Sequence, residues 1–222
     1  MRATSAPMLT RKLKVMDWQL DAAETRVLGA LLEKEITTPD YYPLSTNALV
    51  NACNQKSNRE PVVSYDDDTV EGALQDLRDK GLAMRVTGDG RVAKHEQRFT
   101  EKYNLGRREA ALLCVLMLRG PQTVGELRGR SERLYTFDDL EGVESTLARL
   151  AEVGYVKKLP RRAGFKEQRW AHLLAGGVEE ADEEPVQAAA ERGLGDRERI
   201  AKLEADLAAL RQEFDAFKRK FE

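Results

Sequence analysis

The residues with the most evident binding chemistry lie in one polar stretch, residues 51–61, here called the Asn-rich segment. Asn and Gln side chains can hydrogen-bond adenine edges, while Lys and Arg pair with phosphates or with guanine. The same residue types also end helices and form turns, and this structural interpretation stays open beside the first. We expect the segment to be ordered, with some amides holding local backbone and with Lys56 and Arg59 pointing outward. Its candidate nucleic-acid-binding residues are Asn51, Asn54, Gln55, Lys56, Asn58 and Arg59.

A second group of charged residues lies between positions 157 and 169, where six cations surround a single acid, Glu167. This stretch is predicted to be a hairpin and is called the basic hairpin below. A projecting hairpin of this charge can follow a phosphate backbone, and its arginines can enter a minor groove. A solvated hairpin without a ligand is the alternative. The six cations are Lys157, Lys158, Arg161, Arg162, Lys166 and Arg169.

The sequence offers no recognisable catalytic or metal-binding constellation. It contains no phosphate-binding glycine loop, no His-Glu-x-x-His motif and no paired-cysteine spacing. His95 and His172 are interpreted as surface or packing residues, and Cys53 and Cys114 as buried free thiols of a reducing cytoplasm. We therefore expect a protein that is not an enzyme and needs no cofactor or metal.

Composition and charge narrow the possible partners. The 222 residues are 33% charged and 41% hydrophobic, which is typical of a soluble globular protein. No apolar run approaches the roughly 20 residues of a membrane span, and no secretory signal is visible, so we expect a cytoplasmic location. Residues 104–174 carry thirteen basic and nine acidic residues, whereas 20–103 and 175–222 are net acidic. A polyanion would therefore be drawn to residues 104–174.

Hydrophobic periodicity predicts the same order of elements twice. In residues 20–103, helices over 20–33 and 44–53 precede a helix capped by Asp68 and a hairpin over 82–99. Asp21 and Glu24 form a capping-box pattern at the first helix. Residues 70–74 match 143–147 and residues 96–99 match 167–170, but the second copy lacks the Asn-rich segment. Three helices with a two-stranded wing predict a tandem winged-helix repeat, mainly α with small β-hairpin wings (α+β).

The predicted domains follow from this repeat. They are an N-terminal extension (1–19), two winged-helix domains (20–103 and 104–174), an acidic flexible linker (175–197) and a C-terminal helix (198–222). The last helix has a heptad pattern, and oppositely charged residues at its flanking positions favour a parallel homodimer. Docking on the body of its own chain is the alternative. The candidate dimerisation residues are Ile200, Leu203, Leu207, Leu210, Phe214, Phe217 and Phe221.

The third helix of each repeat argues against the usual recognition-helix mechanism. Such a helix should enter the major groove, but carboxylates on its outer face would meet phosphates and weaken binding. The predicted outward residues are Asp68, Glu71, Gln75, Arg78 and Asp79 in the first repeat, and Asp139, Glu141, Glu144, Arg149 and Glu152 in the second.

Several stretches resemble a known family. Residues 20–34 read L-x-x-x-E-x-R-V-L-G-x-L-x-E-K, residues 37–61 read T-T-P-D-x-Y-P-L-S-x-N-A-L-V-N-A-C-N-Q-K-S-N-R-E-P, and residues 90–99 read G-R-V-A-K-x-E-x-R-F. Together with L-x-L-R-G-x-Q-T-x-G-E-L-R-x-R at 116–130, these are similar to the YceH family of bacterial proteins of unknown function. The resemblance covers about residues 20–174. It implies two winged-helix domains in a cytoplasmic protein and brings no activity or site residues.

Two functions remain open from the sequence. The leading hypothesis is a non-enzymatic DNA-associated or regulatory protein that binds double-stranded DNA through the basic hairpin and the Asn-rich segment. The alternative is a protein–protein interaction adaptor that uses the winged-helix surfaces without direct DNA binding.

Overall fold

A computed structural model describes residues 18–86, 92–161 and 167–176 of the chain. The predicted C-terminal helix with its candidate dimerisation residues, and the acidic linker beyond residue 176, lie outside the described residues. The described chain is mostly helical with two small antiparallel sheets. The first half contains α1 (Ala22–Thr37), a 3-10 helix (Pro39–Tyr41), β1 (Leu44–Ser45), α2 (Thr46–Cys53), α3 (Asp67–Asp79), β2 (Ala83–Val86) and β3 (Lys94–Gln97).

The second half repeats this order after a short connecting helix. It comprises α4 (Phe99–Tyr103) as the connection, α5 (Arg107–Arg119), α6 (Val124–Ser131), α7 (Leu140–Glu152), β4 (Val156–Lys158) and β5 (Trp170–His172). Each half therefore has three main helices followed by a hairpin, which is the predicted order. The predicted domain boundaries stay a prediction.

The two sheets are separate. In the first half the strand order is β1-β3-β2, with Leu44 opposite His95 and Ala83 opposite Gln97. In the second half β4 pairs with β5, and Gln122 forms an isolated bridge with Trp170. A residue just before the second helix of each half thus pairs with that half's last strand.

Two local expectations were wrong. Residues 44–45 were expected to begin a helix but form β1, because the extended Ser45 caps α2 with its hydroxyl, which accepts from the Ala48 amide at 3.3 Å. Asp66, not Asp68, caps α3 and accepts from the Thr69 amide at 2.9 Å. Three consecutive aspartates are all good N-cap residues, so composition alone does not select the register. The capping box at Asp21 is confirmed.

One apolar cluster contains buried residues of both halves. The expected inward-facing residues of the two third helices are buried, namely Val70, Leu74, Leu77, Val143, Leu147 and Leu150. Between the halves, α1 packs on α5 at Gly29. A Cβ atom at Gly29 would lie 2.9 Å from Leu118 Cδ2 and 3.2 Å from Met117 Cβ. The absence of a side chain at Gly29 therefore permits this close approach of the two helices.

A buried carboxylate near the end of α1 also joins the halves. Glu33 is fully buried and is bound by Arg59 through two hydrogen bonds, of 3.0 Å to Oε1 and 2.5 Å to Oε2. Arg133, from the second half, also donates to Glu33 Oε1. We call these three residues the Glu33 clasp. The outward orientation expected for Arg59 is wrong: its side chain is buried because it neutralises Glu33 and donates to the carbonyl oxygen of Ala52.

The clasp sets the protonation of Glu33. Burial by itself raises the pKa of this carboxyl, but the hydrogen bond and charge of Arg59, with the charges of Arg133 and Lys34, together hold it below its usual value. The carboxylate therefore stays ionised inside the protein, where its charge is matched by the two arginines.

The first prediction concerns the close approach of α1 and α5. Gly29→Ala should destabilise the protein, because overpacking of about 1–3 kcal/mol outweighs a helix-propensity gain of at most about 1 kcal/mol. Gly72→Ala is the matched control, since Gly72 lies in α3 and a Cβ atom there meets nothing within 4 Å. Urea unfolding followed by circular dichroism should show Gly72→Ala as the most stable protein, wild type next and Gly29→Ala as the least stable. A Gly29 variant as stable as wild type would contradict the packing account.

The second prediction concerns the clasp. Glu33→Gln leaves Arg59 buried without its counter-charge and should lower the free energy of unfolding by about 3–5 kcal/mol at pH 7. Glu101→Gln, which removes an exposed partner of Arg98, should change it by less than about 1 kcal/mol. Both values are read from urea unfolding curves.

The pH dependence of the Glu33→Gln effect has a defined sign. The pKa of Glu33 is lowered in the folded state, so its contribution is complete above the unfolded value of about 4.3 and is lost as the pH falls through the folded-state pKa. The stability difference between wild type and Glu33→Gln should therefore narrow below about pH 4. A difference that is constant from pH 6 to pH 3 would show that the charge of Glu33 does not stabilise the fold.

Candidate nucleic-acid interface

Several polar side chains of the Asn-rich segment form hydrogen bonds that stabilise the segment and its surroundings. The Asn54 side chain bonds the backbone of Tyr65 in both directions, donating to its carbonyl oxygen and accepting from its amide, each at 2.8 Å. Gln55 accepts a hydrogen bond of 3.1 Å from Arg59. These amides therefore have the structural role that the sequence left open, while the exposed Asn51 is bonded to Asn47 on the surface of α2.

The end of the segment reaches the second half. Asn58 adopts a left-handed backbone conformation with φ 59°, which asparagine tolerates better than most residues. Its side-chain oxygen accepts a hydrogen bond of 3.1 Å from Arg119 at the end of α5. The amide of Glu60 donates to the carbonyl oxygen of Leu118 at 2.8 Å. Lys56 is exposed, as expected.

The basic hairpin is partly described. Lys158 is exposed, and its ammonium group lies 5.9 Å from the centre of the Trp170 ring, a cation–π contact that holds it over the strand. Lys157 and Arg169 are half-buried and Arg161 is exposed. Arg162 and Lys166 lie outside the described residues.

Gln122 connects the basic hairpin with α5 and α6. Its backbone exchanges two hydrogen bonds with Trp170, of 3.0 and 2.7 Å. Its side-chain nitrogen donates to the carbonyl oxygen of Arg119 at 3.0 Å, and its side-chain oxygen accepts from Arg130. A succession of contacts therefore leads from Lys158 through Trp170 and Gln122 to Arg119, and from there to Asn58.

Two arginines that the sequence analysis did not select, Arg119 and Arg130, lie along these contacts, and the charge of a third, Arg133, acts on Arg119. Arg119, Arg130 and Arg133, here called the seam arginines, come from the end of α5, from α6 and from the turn after α6. The side chains of Arg130 and Arg133 are 33% and 41% exposed. Burial, followed by the neighbouring charges of Arg130 and Arg133, lowers the pKa of Arg119. Positive charge is therefore concentrated at this place.

Carboxylates offset part of the charge of the seam arginines. Glu126 pairs with Arg130 at 3.2 Å, Glu33 binds Arg133, and the charge of Glu60 acts on Arg119. The sequence contained one usable signal for the cluster, the four arginines within residues 119–133. Their spacing follows no single helix face, so their convergence depends on the tertiary fold.

The outer faces of the third helices are acidic, as predicted. On α3, Asp68, Glu71 and Asp79 are exposed. The exposed acids of α7 are Glu141, Glu144 and Glu152, preceded by the exposed N-cap Asp139, and Arg149 pairs with Glu109 at 3.3 Å. These faces repel a phosphate backbone.

Both cysteines and His95 are buried, and His172 is half-buried. Burial raises the pKa of Cys53 to about 12 and also raises that of Cys114 well above its usual value. Burial lowers the pKa of His172 to about 4 and, with the charges of Arg78 and Arg85, lowers that of His95. Within residues 18–86, 92–161 and 167–176, no group of three or more His, Cys, Asp or Glu side chains is placed to hold a metal ion.

No helix in the described part of the chain is long and apolar enough to cross a membrane.

Comparison with known proteins places the sequence among bacterial relatives. It is 72% identical over 207 residues to a UPF0502 protein of Solibacter usitatus, covering 93% of this chain and 100% of that protein. It is 54% identical over 197 residues to a UPF0502 protein of Citrifermentans bemidjiense, covering 87% of this chain and 90% of the relative.

A further relative is a UPF0502 protein of Koribacter versatilis, 52% identical over 193 residues that cover 86% of this chain and 90% of the relative. The family model described as "Protein of unknown function, DUF480" matches residues 20–165. The expectation of an uncharacterised bacterial family is thus confirmed. The chain belongs to the DUF480 family, whose bacterial members include the UPF0502 proteins.

Proposed function

We propose that this protein is a non-enzymatic DNA-associated protein of the cytoplasm that binds the backbone of double-stranded DNA. Each half is proposed to be a winged-helix unit, and the basic hairpin is the wing of the second. DNA lies along this hairpin and the seam arginines rather than against the third helices.

The observation that supports this proposal most is the succession of contacts that links the basic hairpin to the Asn-rich segment. Lys158 rests on the Trp170 ring, and the Trp170 backbone pairs with that of Gln122. The Gln122 side chain donates to the backbone carbonyl oxygen of Arg119 and accepts from the Arg130 side chain. Arg119 then bonds Asn58 of the Asn-rich segment. Lys158, Arg119 and Arg130 are thus linked through the fold, and we propose that they contact phosphates of the same duplex.

The acidic third helices support the same mode of binding. A carboxylate on α3 or α7 that faced the major groove would lie near phosphates and lower the affinity. Contacts from the hairpin and the seam avoid these faces. Such contacts read little base sequence, so we propose binding with low sequence specificity.

The repeated sheet pattern supports the winged-helix assignment. In the first half β1 precedes α2 and pairs with β3, and in the second half Gln122 precedes α6 and pairs with Trp170 of β5. Both halves therefore place a pairing residue between the first two helices and close the unit with a hairpin.

A protein–protein adaptor is the second candidate function. At the start of α7, the exposed acids Asp139 and Glu141 flank Leu140, an apolar residue that is 47% exposed. A basic partner surface with a small apolar contact would fit this face. In this role the protein would bind no DNA, and α7 rather than the hairpin would be the interface.

The third prediction separates the two functions. Fluorescence anisotropy with a labelled random duplex should show binding that weakens as salt rises, with a log–log slope of about −5 if all six hairpin cations contact phosphates. Lys158→Gln with Arg161→Gln should reduce the magnitude of the slope by about 2. Arg149→Gln removes a charge from the α7 face, where the side chain is 73% exposed, and should leave the slope unchanged. Absence of binding at low salt would contradict the DNA-associated function and favour the adaptor.

A further inference from the structure

We infer that the seam arginines form a phosphate-binding subsite that holds one backbone phosphate of DNA between the basic hairpin and the Asn-rich segment. This inference rests on the proposed function and deepens it. The ligand chemistry is that of phosphoryl oxygens, which accept hydrogen bonds from guanidinium groups.

The three guanidinium groups are held in place before any ligand arrives. Arg119 is bonded to Asn58, and Arg130 is bonded to Gln122 and to Glu126. Arg133 is bonded to the buried Glu33. Fixed side chains lose less conformational entropy when they bind a ligand than mobile surface lysines do.

These side chains keep hydrogen-bond capacity. A guanidinium group has five N–H donors. Among the described residues, the hydrogen bonds of Arg119 use one donor, to Asn58, and those of Arg130 use donors to Gln122 and Glu126. The remaining donors suit the paired oxygens of a phosphate, which a guanidinium fork binds in a bidentate manner.

The local charge is also incomplete without an anion. The seam arginines, Arg59 and Lys34 supply five positive charges, whereas Glu33, Glu60 and Glu126 supply three negative charges. The lowered pKa of Arg119 reflects its burial and its repulsion by Arg130 and Arg133. A bound phosphate would relieve this repulsion. Because the site is partly sheltered from water, the attraction between the phosphate and the arginines would be stronger than in open solvent.

The location fits a ligand that extends beyond one site. Gln122 bonds Arg130 through its side chain and Trp170 through its backbone, so the subsite adjoins the strand that supports Lys158. A backbone that follows the hairpin can therefore place its next phosphate at the seam.

The test compares salt slopes of duplex binding for matched variants. Arg119→Gln and Arg130→Gln should each reduce the magnitude of the slope by about 1, and so should the double variant, because the subsite holds a single phosphate. Lys158→Gln should also reduce it by about 1, whereas Arg149→Gln should not change it. The single variants keep the test decisive if the double variant is poorly folded, and thermal unfolding checks each protein.

The outcomes separate this inference from the proposed function. If Lys158→Gln reduces the magnitude of the slope and the seam variants do not, the proposed subsite is wrong and the DNA-associated function stands. If wild type binds no duplex, the proposed function is wrong, and calorimetry with inorganic pyrophosphate judges the subsite. Pyrophosphate binding that is lost in the seam variants would then support an anion site, whereas equal binding or none would overturn it.

Discussion

The arrangement of the two halves depends on the ion pairs that the buried carboxylate of Glu33 forms with Arg59 and Arg133. An ionised carboxylate inside a protein is unfavourable unless it is paired and fully hydrogen-bonded. Arg59 from the Asn-rich segment and Arg133 from the second half meet this requirement together. The position of α1 therefore dictates where both segments must lie.

This constraint changes the role of the Asn-rich segment. Its polarity suggested a ligand-binding loop, but Asn54 bonds Tyr65, Arg59 bonds Glu33, and Asn58 bonds Arg119. The segment therefore connects the helices of the first half with the end of α5. Through Asn58 it also orients one of the seam arginines, so its structural role and the proposed binding surface are connected.

The sequence predicted local structure better than it predicted the site. Periodicity located the helices and the buried faces of α3 and α7, because those features depend on neighbouring residues along one helix. The capping register of α3 failed because three aspartates compete for it, and β1 was missed because two residues carry no periodic signal. The outward orientation predicted for Arg59 was wrong because its partner, Glu33, is 26 residues away in the sequence.

The seam arginines show the same limit more clearly. Arg133 lies 100 residues from Glu33, and Arg119 lies 61 residues from Asn58. No local pattern encodes such pairings, so their convergence became visible only in the folded chain.

The most direct test of the account is a nuclear magnetic resonance map of the arginine Nε–Hε groups in the full chain during titration with a short random duplex. The account predicts shifts for Arg119 and Arg130, with little change for the buried Arg59 or for Arg149 on the acidic face of α7. Shifts centred on Arg149 and the backbone amides of α7, with Arg119 and Arg130 unchanged, would contradict it.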